Sequence, residues 1–195
     1  MKTILIIGGS SGYGAGVKRF FSAVGYNVIE ASRSGDNHLD VTDNKAVTAF
    51  FQKLKDANAT LNVVFYSAGI AIGKSHVKDK LIEQTERVFK VNTIGLINVL
   101  KESFPFLKAS AGSFFHVGSI ANKLSYVGGA DYCASKAASS SIMATIRKEW
   151  LGSNIRTTSL EVGIGGVSQN EVAGKAFSQA WVPSFDLNNE KETTS

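Results

Sequence analysis

Short apolar runs alternate with longer segments whose apolar positions follow helical spacing. Residues 3–7 form a β-branched, largely apolar run, and further strands are predicted at 27–31, 61–66, 113–117 and 155–161. Continuous apolar runs of this length are typical of parallel strands that are buried on both faces. Strands that alternate with helices in this way predict a doubly wound α/β sheet.

The predicted helices lie between these strands and cover residues 17–24, 43–57, 78–108 and 131–151. Gly25 ends the first helix, and Pro105 is expected to break the third. We expect six parallel strands in the order 3-2-1-4-5-6, with helices on both faces.

A short third strand is predicted over 38–41, and Asp43 or Thr42 is expected to cap the helix that follows. One domain is expected to extend over 1–185. The polar residues 186–195 are expected to form a disordered tail.

A glycine-rich loop, G-G-S-S-G-Y-G-A-G, connects the first strand to the first helix. Gly8 permits a tight turn, Gly12 lets the backbone approach a phosphate, and Gly14 lets the helix lie close to the sheet. A loop of this kind at a helix N-terminus is typical of a pyrophosphate site. The predicted cofactor loop consists of Gly8, Ser10, Ser11, Gly12, Tyr13 and Gly14.

The end of the second strand reads E-A-S-R-S and bears on the choice of cofactor. Folds that bind NAD usually carry an acid here for the ribose 2′-hydroxyl, but Ser32 occupies that position and Arg33 follows it. An arginine suits a 2′-phosphate by charge and by its fork geometry, which favours NADP over NAD. Glu30, two residues earlier on the same strand face, is the alternative ribose acid.

Tyr132 and Lys136 are candidates for acid–base chemistry because they are four residues apart on one predicted helix. An ammonium beside a phenol favours the ionised form and so lowers the pKa, and a tyrosine with a lowered pKa can give or take a proton near neutral pH. Ser119, on the turn after the fifth strand, offers a hydroxyl to the same substrate oxygen. Asn92 lies among apolar neighbours and is either a structural anchor or part of the site.

The composition narrows the possible partners. The chain has 195 residues, 44% of them hydrophobic and 19% charged, which is ordinary for one globular domain. The formal net charge is +5, but the cations are scattered and accompany no nucleic-acid-reading motif. We therefore expect a small-molecule substrate and no nucleic-acid partner.

The cysteine and histidine content argues against disulfides and metals. Cys133 is the single cysteine, and His38, His76 and His116 have no ligand-like spacing. No apolar run reaches the ~20 residues of a membrane span, and the initial run is too short for a signal peptide. The expected protein binds neither a metal nor a membrane and is cytoplasmic.

Taken together, these motifs resemble the short-chain dehydrogenase/reductase family over residues 1–163. The family's glycine loop corresponds to Ile7–Gly14, and its adenine-side D-V element to Asp40 and Val41. Its N-N-A-G turn appears as Tyr66-Ser67-Ala68-Gly69, and its catalytic set matches Asn92, Ser119, Tyr132 and Lys136 in order and spacing.

The resemblance implies hydride transfer between a nicotinamide cofactor and a carbonyl or alcohol carbon. Tyr132 would exchange the proton with the substrate oxygen, and Ser119 would hydrogen-bond that oxygen. Lys136 would hold the nicotinamide ribose and assist Tyr132, and Asn92 would hold a water that connects Lys136 to solvent. The turn Ser67-Ala68-Gly69 and the loop Val162-Gly163 would also contact the cofactor.

Three departures from the family pattern keep a second function open. Ile7 and Tyr66 replace a threonine and an asparagine that support the turns, and Val162 replaces the proline of the P-G loop. The chain also ends soon after that loop, which implies an open site or one completed by a partner subunit. A non-catalytic NADP-binding sensor or scaffold is therefore the alternative. By the same resemblance, the helices around residues 83–108 and 131–151 would pair across a two-fold axis, which implies a homodimer or homotetramer.

Overall fold

The computed structural model describes residues 1–163. Their strands are β1 (Thr3–Ile7), β2 (Asn27–Ser32), β3 (Asn37–His38), β4 (Val63–Tyr66), β5 (Ser113–Ser119) and β6 (Arg156–Val162). They form one six-stranded sheet in the order β3-β2-β1-β4-β5-β6, and every neighbouring pair is parallel. The predicted fold class and strand order are confirmed.

The helices connect successive strands. They are α1 (Gly12–Ala23), α2 (Asn44–Asp56), α3 (Ile82–Phe89), α4 (Gly95–Ser110) and α5 (Ala130–Glu149). Short 3₁₀ turns span Val77–Asp79 and Ile120–Asn122, and the π-helical turn Lys90–Ile94 joins α3 to α4. The α3–π–α4 run is therefore nearly continuous.

Apolar side chains cover both faces of the sheet. On one face, Val17 and Phe21 of α1 pack against Ile4 and Ile6 of β1. On the other face, helices α2, α4 and α5 enclose a larger core around Leu5. This two-sided burial explains why the strands read as continuous apolar runs.

The order of connections places a crevice at the centre of the sheet. The chain moves outward from β1 through β2 to β3, and then returns to place β4 on the opposite side of β1. Ligands in open parallel sheets bind at this switch point, beyond the carboxyl ends of the strands. The residues after β1 and β4 are therefore positioned to form a site.

Two details of the predicted elements are wrong. The third strand is Asn37–His38 rather than 38–41, because Asp40 Oδ1 accepts hydrogen bonds from the Thr42 amide at 2.9 Å and the Thr42 hydroxyl at 2.8 Å, which turns the chain. Pro105 does not break its helix: α4 continues through it to Ser110. Pro105 is exposed, so the carbonyl that loses its partner can bond to water.

The first helix also begins earlier than predicted. Residues 17–24 were expected, but α1 starts at Gly12, so the end of the glycine loop forms its first turn. Glycine disfavours helices, which is why the sequence pattern placed the start later. Asp43 caps α2 as predicted, accepting from the amides of Lys45 at 2.9 Å and Ala46 at 3.1 Å. The boundary at 185 and the tail 186–195 lie outside the described residues.

Candidate active site

A cavity of about 290 Å³ opens at the carboxyl edge of the sheet. It brings together the segments after β1, β2 and β4, the last residues of β5 and β6, and the start of α5. Its lining consists of Gly8, Ser11, Gly12, Tyr13, Arg33, Ser67, Ala68, Gly69, Ile70, Ala71, Val91, Val117, Gly118, Tyr132, Lys136 and Val162. The predicted site residues that do not line it are Ser10, Gly14, Ser32, Asp40, Val41, Asn92, Ser119 and Gly163.

Larger depressions occur elsewhere, but they lack this chemistry. One of about 770 Å³ is lined by Trp150, Arg156 and neighbouring residues at the amino ends of β5 and β6. None of the predicted site residues lines it. Position in the fold and side-chain chemistry, rather than size, therefore identify the 290 Å³ cavity as the site.

The phosphate end of the cavity is formed by the N-terminus of α1. Ser11 is the N-cap residue, but its side chain makes no capping hydrogen bond, and the first turn contains no acidic residue. The first amides of the helix are therefore left for another acceptor, at the positive end of the helix dipole. Gly12 and Tyr13 form this turn and line the cavity. Such a terminus binds phosphate well.

Two glycines of the loop have no room for a side chain. Gly8 has a φ of +84°, and a Cβ there would lie 2.7 Å from the Ala68 amide nitrogen. A Cβ on Gly14 would lie 2.2 Å from the carbonyl oxygen of Gly8. Gly14 thus acts behind the cavity wall by permitting close packing of the loop.

Arg33 and Glu30 have opposite surroundings. Arg33 is exposed and lines the cavity. Glu30 is 2% exposed, and its Oε2 accepts a hydrogen bond from the Asp36 amide at 2.8 Å. A Cβ on Gly9 would lie 2.4 Å from Glu30 Cγ, so the side chain is enclosed beneath the loop. The accessible charge at this end of the cavity is the arginine.

Four other residues predicted to hold the cofactor, Ser10, Ser32, Asp40 and Val41, do not line the cavity. Ser10 Oγ accepts a hydrogen bond from Ser34 Oγ at 3.3 Å. Ser32 Oγ is buried and has no hydrogen-bond partner among the described residues. The carbonyl of Val41 accepts from Asn98 at 2.9 Å. For Asp40, burial acts to raise the pKa, but hydrogen bonds from Thr42 outweigh it, and the pKa lies below its ordinary value.

The catalytic end of the cavity contains Tyr132 and Lys136, which share one face of α5. The Lys136 ammonium lies 5.9 Å from the centre of the Tyr132 ring and donates a hydrogen bond to the carbonyl of Val117 at 3.0 Å. Lys136 is 6% exposed, and burial lowers its pKa from 10.5 to about 8, although the charge of Glu161 partly opposes this. The lysine can therefore change its protonation state close to neutral pH.

Asn92 lies in the π-helical turn and is 1% exposed. Its Oδ1 accepts a hydrogen bond from the Ile70 amide at 2.8 Å, and its Nδ2 donates to the Ile70 carbonyl at 2.9 Å and to Ser135 Oγ at 3.0 Å. These bonds anchor the wall residue Ile70. A Cβ on Gly69 would lie 3.4 Å from Asn92 Oδ1 and 3.6 Å from Lys136 Nζ, so both groups face one point. The hydrogen bonds make Asn92 a structural anchor of the cavity wall, next to Lys136.

Ser119 ends β5 and is 7% exposed. Its Oγ accepts a hydrogen bond from the Ala121 amide at 3.2 Å, which leaves the hydroxyl hydrogen for another acceptor. Its neighbour Gly118 lines the cavity, as does Val162, which pairs with Ser119 across the sheet. Gly163 is the last described residue and lies at the end of this strand.

Tyr66, at the position where the resemblance leads us to expect an asparagine, makes a hydrogen bond of its own. Its side chain is fully buried, and its hydroxyl donates to the carbonyl of Val91 at 3.1 Å. Burial raises the pKa of Tyr66, so the phenol stays protonated and remains a donor. The bond ties the end of β4 to the π-helical turn that carries Asn92.

Sequence reasoning missed five residues of the cavity wall. They are Ile70, Ala71, Val91, Val117 and Gly118. All except Val91 directly continue a predicted motif at the carboxyl end of a strand, so strand position alone could have found them. Val91 could not be placed, because a π-helical turn changes which side chains share a face.

The residues present fit a nicotinamide dinucleotide. The uncapped N-terminus of α1 suits a pyrophosphate, and Gly8 and Gly14 form a cradle that a Cβ would fill. Lys136 and Tyr132 lie at the other end of the same cavity. Within residues 1–163, no group of histidine, cysteine and acidic side chains could hold a metal ion. No helix in that range is long and apolar enough to cross a membrane.

Comparisons with known proteins agree with the fold and the motifs. An NADP-dependent 3-hydroxy acid dehydrogenase of Schizosaccharomyces pombe is 30% identical, over 84% of this chain and 71% of that protein. A serine 3-dehydrogenase of Agrobacterium fabrum is 26% identical, over 83% of this chain and 71% of that protein. The crystal structure of an Escherichia coli serine dehydrogenase superposes with a TM-score of 0.82 at 24% identity, covering 93% of this chain and 92% of that one.

A family model described as short chain dehydrogenase matches residues 2–176, which is most of the chain. This match covers the glycine loop, the Tyr132/Lys136 pair and the strand that ends in Val162. The chain therefore belongs to the short-chain dehydrogenase family and is an NAD(P)-dependent enzyme that acts on CH–OH groups.

Proposed function

We propose that the protein is an NADP-preferring oxidoreductase whose catalytic residues are Asn92, Ser119, Tyr132 and Lys136. One observation carries this proposal: a single cavity joins the uncapped N-terminus of α1 and Arg33 to the Tyr132/Lys136 face of α5. A phosphate site and an acid–base pair in one cavity suit a cofactor that binds at one end and reacts at the other.

Each catalytic side chain has a separate task. Tyr132 gives its phenolic proton to a carbonyl oxygen during reduction and takes it back during oxidation. Ser119 donates its hydroxyl hydrogen to the same oxygen, where negative charge develops. Lys136 supplies a positive charge beside the phenol and binds the ribose hydroxyls, while Asn92 fixes the wall at Ile70. The bound nicotinamide supplies or accepts the hydride.

NADP is the proposed cofactor because the accessible charge at the adenosine end is positive. Arg33 lines the cavity, whereas the carboxylate of Glu30 is enclosed beneath the loop. A guanidinium binds a 2′-phosphate through two parallel hydrogen bonds, and an enclosed acid cannot easily reach a ribose hydroxyl. The S. pombe relative is described as NADP-dependent, which supports the same choice.

Small 3-hydroxy acids are the proposed substrate class. The relatives at 30% and 26% identity are described as dehydrogenases of 3-hydroxy acids and of serine, which is itself a 3-hydroxy acid. The same reaction in reverse reduces a 3-oxo acid. A panel of such compounds, alongside simple ketones and aldehydes, is therefore the first to test.

We also propose a homodimer or homotetramer in the cytoplasm. Ile94 and Ile97 are 48% and 44% exposed, next to the groove between α4 and α5, and a second copy of the chain would cover them. Cys133 is unpaired, as is usual in a reducing compartment. Light scattering of the purified protein would measure the oligomeric state.

The test is the absorbance change at ~340 nm, the nicotinamide band on which such assays rely, with NADPH and then NADH. The matched variants are Tyr132→Phe and Tyr26→Phe, the second at the far end of α1. We expect kcat to fall at least ~100-fold in Tyr132→Phe and to stay within about twofold in Tyr26→Phe.

Binding measured in parallel separates the two candidate functions. NADPH that binds both the native protein and Tyr132→Phe equally, without turnover on any compound of the panel, would contradict catalysis. That result would favour the non-catalytic NADP-binding sensor or scaffold. The Tyr132/Lys136 pair in the cavity wall speaks for the enzyme, because a sensor has no use for an acid–base pair.

A further inference from the structure

A lysine–aspartate ion pair lies almost completely out of solvent next to Tyr132. The Lys80 ammonium is 2.8 Å from Asp131 Oδ1, and the two side chains are 9% and 3% exposed. The pair Lys18–Asp36 has nearly the same N···O distance, 2.7 Å, but its side chains are 37% and 72% exposed. Two pairs of the same chemistry thus differ in burial, and the buried one needs a separate explanation.

Asp131 supplies an acceptor that the first turn of α5 otherwise lacks. The residue before the helix is Gly129, which has no side chain to form a cap. Asp131 Oδ1 instead accepts a hydrogen bond from the Tyr132 amide at 2.9 Å. Its negative charge also lies at the positive end of the helix dipole. The backbone of Tyr132 is therefore held by the neighbouring carboxylate.

Stability alone does not explain the pair. Asp131 Oδ2 is buried and has no hydrogen-bond partner among residues 1–163. Burial acts to raise the pKa of Asp131, but hydrogen bonds from Lys80 and the Tyr132 amide outweigh it, so the pKa is lowered and the group is charged at neutral pH. Apolar residues of similar volume often stabilise a protein as well as a buried ion pair does. The pair can instead serve to hold the local geometry around Tyr132.

Lys80 holds the other side of this contact. Residues 72–80, called the crossing segment, follow the cavity-lining Ala71 and end at Lys80. Within the segment, the Ser75 amide donates to the carbonyl of Gly128 at 3.2 Å. The ion pair adds a second tie between the crossing segment and the chain at the start of α5. These two contacts connect the segment that follows the cavity wall at Ala71 to the start of α5, which carries Tyr132 and Lys136.

We propose that Lys80 and Asp131 are positioning residues that clamp the crossing segment to the first turn of α5 and so hold Tyr132 at the cavity. The rate effect rests on the proposed function, because the placement of Tyr132 affects turnover only if its phenol transfers the proton. Neither side chain lines the cavity. They act through the backbone of Tyr132, not on the substrate.

Three substitutions distinguish the Lys80–Asp131 ion pair from the hydrogen bond that Asp131 accepts from the Tyr132 amide. Lys80→Met keeps the apolar stem and removes the charge. Asp131→Asn keeps an oxygen that accepts from the Tyr132 amide, whereas Asp131→Ala removes it. Hydrogen–deuterium exchange of the intact chain reports the clamp independently of activity, and kcat, KM and NADPH affinity report its effect on the reaction.

We expect all three variants to exchange faster along the crossing segment, and Asp131→Ala to exchange fastest at the Tyr132 amide. Because a small misplacement of a catalytic group costs up to ~100-fold in rate, kcat should fall about tenfold or more in each. NADPH affinity should stay within about twofold, since the phosphate end is untouched. The double variant Lys80→Met/Asp131→Asn leaves no unpaired buried charge and should fold, but it should show the same loss of kcat.

Lys18→Met is the matched control, and it should change neither the exchange near α5 nor kcat. Faster exchange with an unchanged kcat would show that the pair is only structural and would overturn the proposal. Unchanged exchange in the double variant would overturn the clamp itself. If the native protein turns over no substrate, the proposed function fails, while the exchange measurements still decide whether the clamp exists.

Discussion

Backbone forms most of the wall at the phosphate end of the cavity, whereas the polar side chains of Tyr132 and Lys136 line the catalytic end. Gly8 and Gly12 contribute only main chain at the first end, and the charged group there, Arg33, is exposed. At the second end, Lys136 is 6% exposed, and the wall residue Ile70 is bonded to Asn92, which is 1% exposed and does not itself line the cavity. Both ends serve one cavity, but one is held by local turns and the other by enclosed hydrogen bonds.

This difference shows which contacts each end depends on. Most of the phosphate end is built by residues close in sequence, in the glycine loop and the start of α1, and Arg33 joins them from the end of β2. At the catalytic end, Asn92 bonds to Ile70 and to Ser135, which is 43 residues away in sequence, and Lys136 bonds to Val117. Substitutions at the first end should affect cofactor affinity, and substitutions at the second should affect rate and pH dependence.

The largest effect is expected from Gly14→Ala at the phosphate end. A Cβ there would lie 2.2 Å from the carbonyl oxygen of Gly8, so the loop must shift. We expect NADPH affinity to fall ~100-fold and the free energy of unfolding to fall by about 1–3 kcal/mol. Binding titration and denaturant unfolding measure these changes, with Ser22→Ala on the exposed part of α1 as the control. Unaltered affinity would mean that close packing of the loop is not required for binding.

The same contrast explains what the sequence could predict. Glycine spacing and apolar runs are local signals that were sufficient to predict the loop with Gly8 and Gly12, and the strand order followed from the known order of dinucleotide-binding folds. The spacing of Tyr132 and Lys136 identified two residues that do share a cavity. These features depend on short-range geometry, which a single chain displays directly.

Non-local contacts could not be predicted in this way. The π-helical turn that carries Asn92, the hydrogen bond from Tyr66 to Val91, and the Lys80–Asp131 pair each join distant segments. Their sequence signals are ordinary: a tyrosine in a strand, a lysine in a loop and an acid in the first turn of a helix. Only the packed fold shows that they are enclosed together.

At the catalytic end, the burial of Lys136 should make stability depend on pH. Burial lowers its pKa from 10.5 to about 8, so between these values the unfolded chain holds a proton that the folded chain has released. Stability therefore rises with pH across this window. Relative to Lys136→Met, we expect the native protein to gain roughly 2 kcal/mol between pH ~7.5 and ~10.

Denaturant unfolding at both pH values measures this gain. Lys148→Met serves as the control, because Lys148 lies exposed near the end of the same helix. A difference between the native protein and Lys136→Met that stays constant with pH would show that burial does not disfavour the ammonium. In that case the enclosure of Lys136 at the catalytic end would have no electrostatic consequence for folding.

Arg33→Ala should change cofactor choice at the phosphate end without changing the rate. Arg33 lines the cavity, and its guanidinium is proposed to bind the 2′-phosphate, which NADH lacks. We expect NADPH to bind about 20-fold more weakly, or about 1.8 kcal/mol, while NADH affinity stays within about twofold. Equal losses for both cofactors would assign Arg33 to the shared part of the dinucleotide, and Glu30 would again be a candidate for the ribose.

The smallest effect is expected from Lys18→Met, which removes the exposed counterpart of the buried clamp. Its ammonium is 2.7 Å from Asp36, but the two side chains are 37% and 72% exposed. Hydrogen bonding to Asp36 raises the pKa of Lys18, yet solvent and salt screen such a pair.

We expect the free energy of unfolding to change by less than about 0.5 kcal/mol, and by still less in high salt. Denaturant unfolding at low and high ionic strength measures it. A loss well above this value would mean that the pair fixes the loop around Glu30, and that the phosphate end also depends on side-chain contacts between separate segments.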